Sequence, residues 1–166
     1  MHVGQYCTCI ATKYISETSA LIDLEVTIDN NSKTDSYIDV ITLIYLLDSK
    51  GNKVGDAVDS IRTLKTKIVA GASTKIKDSI FLKNPKLWGP LPSQRPNLYL
   101  AVTTLQQNQR PLDAYETRFG IRSLEFNPEK GLLVNGEYIY IKGVNQHHEP
   151  GCPWCCIQYT CCRTSA

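Results

Sequence analysis

The 166-residue sequence has no apolar run long enough to cross a membrane, and its start, MHVGQYCTC, lacks the apolar core of a signal peptide. It also has no strong charge of one sign. A formal charge of +2 gives no field that would gather nucleic acid or an acidic surface. Cysteine is missing from the whole stretch between Cys9 and Cys152, although the chain has seven. A secreted disulfide framework spreads its cysteines through the fold it staples, so such a framework is excluded. Helical periodicity is missing as well: no amphipathic helix is legible up to residue 150. What remains, at 42% hydrophobic and 20% charged, is enough for one globular domain with a fragment of another.

The middle of the chain reads as strand after strand. In ALIDLEVTIDN, Ile22, Leu24, Val26 and Ile28 share one face while Asp23, Glu25 and Thr27 share the other. That period of two marks a half-buried strand. Residues 30–33 break it, and SYIDVITLIYLLD follows, rich in β-branched and aromatic side chains. Asp48–Asn52 is a turn in which Gly51 takes a positive φ at low cost. Further strands are expected near Ser60–Val69, Ser73–Phe81, Asn97–Leu105 and Ala114–Phe119. About seven short strands at this spacing predict a two-sheet sandwich of immunoglobulin type over residues 5–121, without the inter-sheet cysteine pair of antibody domains.

Beyond residue 121 the pattern changes. Asn135-Gly136, set between Leu132–Val134 and Tyr138–Ile141, is a two-residue hairpin signal. Gly143-Val144-Asn145-Gln146-His147-His148-Glu149 then reads as an apolar strand running into titratable groups. A barrel strand delivers functional side chains to its C-terminal rim in this way.

Three segments together resemble glycoside hydrolase family 2. They are Glu116-Thr117-Arg118-Phe119-Gly120-Ile121-Arg122, then Leu133-Val134-Asn135-Gly136, then Ile141-Lys142-Gly143 leading into Val144–Glu149. Leu87-Trp88-Gly89-Pro90 with Pro96-Asn97-Leu98-Tyr99 is similar to the family's tryptophan–proline segment, and YCTCIATKYIS is similar to the strand that leaves its first domain. The His147-His148-Glu149 form resembles the β-galactosidase branch. The resemblance covers about residues 5–150.

The resemblance implies an all-β chain: an immunoglobulin-like β-sandwich with a short β-hairpin extension leading into a truncated (β/α)8 barrel. The corresponding division is 1–4 as remnant of a preceding domain, 5–121 as sandwich, 122–150 as hairpin and first barrel strand, and 151–166 as tail. It also implies a parent enzyme that hydrolyses terminal β-D-galactosides by a retaining mechanism. That mechanism needs two carboxylates about 5–5.5 Å apart. In the family both are glutamates on later barrel strands, so this chain is expected to have no catalytic residue and no turnover. Asn145, His147, His148 and Glu149 are the substrate-binding residues that the resemblance implies for the parent; in this chain alone they are expected to be exposed. Trp88 is expected to be a core or interface residue rather than a sugar platform. The implied partner is a carbohydrate substrate in a homo-oligomeric parent, with no cofactor, metal, nucleic acid or membrane. The parent's compartment, periplasmic or cytoplasmic in a bacterium, is left open.

The tail gathers Cys152, Cys155, Cys156, Cys161 and Cys162. Cys152-Pro153-Trp154-Cys155 has redox CxxC spacing, and four of the five thiolates have the ligand chemistry for zinc. Neither the strand–helix setting of a redox motif nor the usual paired knuckles of a zinc site accompanies them. Another account explains more. A cysteine codon TGC read one letter late begins GC and encodes alanine, while the single tryptophan codon at Trp154 yields glycine. The shifted frame can read Asp-Ala-Leu-Gly-Ala-Ala, which resembles the family's continuation after the histidines. Residues 151–166 are therefore expected to be out of frame. Two alternatives stand beside this one: a stand-alone immunoglobulin-like module that binds carbohydrate or protein, and a CxxC redox or zinc protein.

Overall fold

The computed structural model describes residues 2–143. These form ten strands and no helix, in two compact units, Met1–Ser123 and a second that begins at Leu124. The first unit contains β1 (His2–Ile15), β2 (Ser19–Asp29), β3 (Ser36–Leu47), β4 (Lys53–Ile68), β5 (Ser73–Lys83), β6 (Tyr99–Gln107) and β7 (Arg110–Phe119). One sheet has the order β1-β2-β5 and the other β4-β3-β6-β7, with every neighbouring pair antiparallel. Seven strands divided three and four make the expected immunoglobulin-like sandwich.

Alternation along β2 and β3 builds the core. Ile22, Leu24, Val26 and Ile28 from β2 face inward with Ile38, Val40 and Ile44 from β3, and all are buried. Ile61 and Ile68 of β4, Ile80 and Leu82 of β5, and Tyr99, Ala101 and Leu105 of β6 complete the cluster. Removing one such side chain to alanine costs about 2–5 kcal/mol, because lost transfer energy and a cavity add. Polar groups inside are paired. Thr42 and Thr103 share a hydrogen bond of 2.9 Å between adjacent strands. Buried Asn30 donates from Nδ2 to the carbonyls of Thr34 and Ile68, while its Oδ1 accepts from the Ser32 amide and hydroxyl.

The expected strands are present with different ends. β4 starts at Lys53 rather than Ser60, and β7 at Arg110 rather than Ala114. Both are edge strands, whose outer halves bury too little to show a clear apolar alternation. β4 also takes irregular turns at Gly55 and Lys65, both at positive φ.

The second unit is a three-stranded sheet of β8 (Leu124–Asn127), β9 (Gly131–Val134) and β10 (Glu137–Tyr138), in the order β10-β9-β8. Asn135 and Gly136 both have positive φ, 53° and 79°, as a two-residue hairpin turn of the predicted kind requires. The second arm is shorter than the expected Tyr138–Ile141, because pairing with β9 ends at Tyr138. Residues 139–143 form no strand, and Val144 onward lies outside the described residues.

Candidate functional site

Asn145, His147, His148 and Glu149 lie outside the described residues, as do the five cysteines of the tail. The described feature nearest to them in sequence is the end of the sandwich from which the chain leaves after β7.

Its centre is Trp88. The segment between β5 and β6 closes back on itself through an isolated bridge from Trp88 to Pro96 and a hydrogen bond from Asn97 Nδ2 to the Leu87 carbonyl, 2.9 Å. The Leu91–Pro92 peptide bond within it is cis. Trp88 N–H donates to the Ile121 carbonyl at 2.8 Å, which ties this segment to the residues that follow β7. Gly120 makes the approach possible: a Cβ placed there would lie 2.7 Å from the Trp88 Cβ. On the indole, the Arg122 guanidinium sits 4.7 Å from the ring centroid, a cation–π contact. Trp88 is thus a half-buried structural residue rather than an open sugar platform.

Beside it Tyr99 anchors the same segment from below. Its ring stacks on Phe119 at 5.6 Å, and its hydroxyl accepts from the Lys86 amide at 2.8 Å. Burial pushes the Tyr99 phenol above its usual 10.0, partly offset by that amide. Tyr99 also lines an open cleft of about 410 Å³, together with Leu82, Asp59, Lys83, Asn84 and Lys86. The cleft has one carboxylate, Asp59. One carboxylate cannot supply both the acid and the nucleophile of retaining glycoside hydrolysis.

The other acidic residues do not converge on it. Glu116 pairs with Lys53 at 3.5 Å, and that ammonium also sits 4.7 Å from the Tyr45 ring centroid. Glu125 and Glu137 are exposed on β8 and β10. Among the described residues no group of three or more His, Cys, Asp or Glu is placed to hold a metal ion. Sequence reasoning found Trp88 but missed its dependence on Gly120 and Arg122, and it missed the cleft altogether. The one available signal was Asn84-Pro85, which breaks the chain straight after β5.

Comparison with known proteins bears on the whole of this arrangement. The sequence model of Glycosyl hydrolases family 2 matches residues 8–122. The chain belongs to that family. Beta-galactosidase BoGH2A of Bacteroides ovatus is 31% identical over 152 residues, covering 92% of this chain and 17% of that protein. A beta-glucuronidase of Formosa agariphila is 30% identical over 144 residues, covering 87% of this chain and 13% of that protein. Among solved structures, a beta-glucuronidase from glycoside hydrolase family 2 superposes with a TM-score of 0.70 at 28% identity, over 83% of this chain and 14% of its own. A beta-glycosidase from Bacteroides vulgatus gives 0.64 at 29% identity, over 86% of this chain and 16% of its own. The chain therefore spans less than a fifth of each of these four relatives. The family resemblance read from the motifs is borne out, and so is the immunoglobulin-like sandwich.

Proposed function

We propose that this family 2 chain is the non-catalytic sandwich portion of a glycosidase whose parent acts on terminal β-D-galactosides. The observation that carries the reading is the family match over residues 8–122 in a chain covering only 17% of its Bacteroides ovatus relative. The galactoside assignment is supported by that relative's name and by the His147-His148-Glu149 form of the motif. The Formosa agariphila relative is a glucuronidase, so the sugar is the part of the reading most in need of a test.

In the parent, Asn145, His147, His148 and Glu149 would orient substrate hydroxyls beside a carboxylate pair carried on later barrel strands. Residues 151–166 belong to a shifted reading frame, a proposal supported by five cysteines among residues 152–162 against none between Cys9 and Cys152.

The coding DNA tests both points. Removal of one nucleotide near codon 151 should open a frame that continues into a barrel with two glutamates. The enzyme so restored should release nitrophenol from aryl β-galactoside faster than from aryl β-glucuronide. A glucuronide preference would overturn the galactoside assignment, and an unshifted frame with no barrel downstream would overturn the parent reading.

A further inference from the structure

The outer face of the β1-β2-β5 sheet is charged along most of its length. Glu25 bonds Lys75 and Lys77 at 2.7 and 3.0 Å. Asp23 accepts from the Ser79 hydroxyl at 2.7 Å and lies 3.6 Å from Lys13. At one end this pattern stops. Tyr14 is paired with Leu21, and Leu21 with Phe81, so the three side chains form one row across all three strands. They are on the face opposite the core, since their neighbours Ile15, Ala20 and Leu82 point inward. Tyr14 is 61% exposed and Phe81 63% exposed.

Exposed aromatic pairs of this size are costly to leave in water and call for an occupant. Neighbouring strands lie about 4.8 Å apart, so the two rings spring from backbones roughly 10 Å apart on a flat surface. Hydrogen-bonding groups flank the row on both sides: Ser19 and Lys83 on one, Asp23 and Ser79 on the other. Rings spaced along a flat strip between polar rows suit one chemistry well. The C–H faces of pyranose rings lie on aromatic faces, and their equatorial hydroxyls reach sideways to donors and acceptors. An extended β-linked chain presents such faces in a flat ribbon, whereas α-1,4-linked chains coil.

We propose that Tyr14, Leu21 and Phe81 form a surface binding site for a neutral, extended, β-linked polysaccharide. The site would hold the polymer against the sandwich, away from any catalytic centre. It rests on the chain's membership of a carbohydrate-acting family and not on the galactoside reading.

Affinity electrophoresis of the purified 166-residue chain tests the proposal. Hydroxyethyl cellulose and β-1,4-galactan in the gel should retard the protein, and soluble starch should not. The double variant Tyr14→Ser/Phe81→Ser should lose retardation by at least tenfold in apparent dissociation constant. Its thermal midpoint should stay within a few degrees, because both side chains are exposed. No retardation of the native chain, equal retardation by starch, or retention of binding by the double variant would each overturn the proposal. So would a native dimer, seen by sedimentation, that the double variant converts to monomer while polysaccharide has no effect. A negative result would leave hydrolysis by the restored enzyme untouched, so the two readings fail separately.

Discussion

At the scale of single residues, the exit end of the sandwich depends on an atom that is absent. Gly120 has no Cβ, and Trp88 occupies that space. Gly120→Ala forces the indole or the backbone to move and strains the Trp88 N–H bond to the Ile121 carbonyl. Overpacking of this kind costs about 1–3 kcal/mol. Urea unfolding should show a lowered midpoint with an unchanged slope; an unchanged midpoint would mean that Trp88 shifts freely. Asn30 illustrates the same limit on reading a sequence. In sequence it is a break after β2, but in the structure its buried amide satisfies the carbonyls of Thr34 and Ile68. Asn30→Ala leaves those acceptors unpaired and should destabilise by about 1–3 kcal/mol in the same assay. Neither role was legible, because the partners come from distant positions, Trp88 for Gly120 and Ile68 for Asn30.

At the scale of elements, legibility followed burial. β2 is inward-facing at every second residue, so its alternation was plain in the sequence. The N-terminal part of β4 is exposed, and no pattern of apolar residues announced it. Turns were legible where chemistry dictates them, as at Asn135-Gly136. The turn between β3 and β4 adds a titratable device. Asp48 accepts from the amides of Asn52 and Lys50, and these bonds, the Asn52 amide first, hold its carboxyl below the ordinary 3.8. Asp35 is likewise held below 3.8, by Lys67 and then by the Ala70 amide. A depressed carboxylate contributes stability that is present above its unfolded value and is lost as the pH falls through the folded one. The thermal midpoint should therefore decline as the pH is lowered below about 4, the ordinary range of aspartate. Asp48→Asn should shrink the difference between midpoints at pH 7 and pH 3; an unchanged difference would remove Asp48 from the account.

At the scale of the whole molecule, the sandwich was readable from strand count and spacing, and the family from three separated motifs. The aromatic row was not readable, because Tyr14, Leu21 and Phe81 become neighbours only through strand register. The core of Met1–Ser123 joins both sheets through one cluster, so the unit has what it needs to fold by itself. Catalysis is a different matter. The cleft at the exit end has one carboxylate, and Glu116 is engaged with Lys53. The most direct test is therefore an assay of the purified 166-residue chain, its fold first verified by cooperative unfolding, against aryl β-galactoside and aryl β-glucuronide. The expected result is no release of nitrophenol above the buffer rate from either substrate. Turnover that co-purifies with the folded chain would contradict the assignment of this protein as a non-catalytic module.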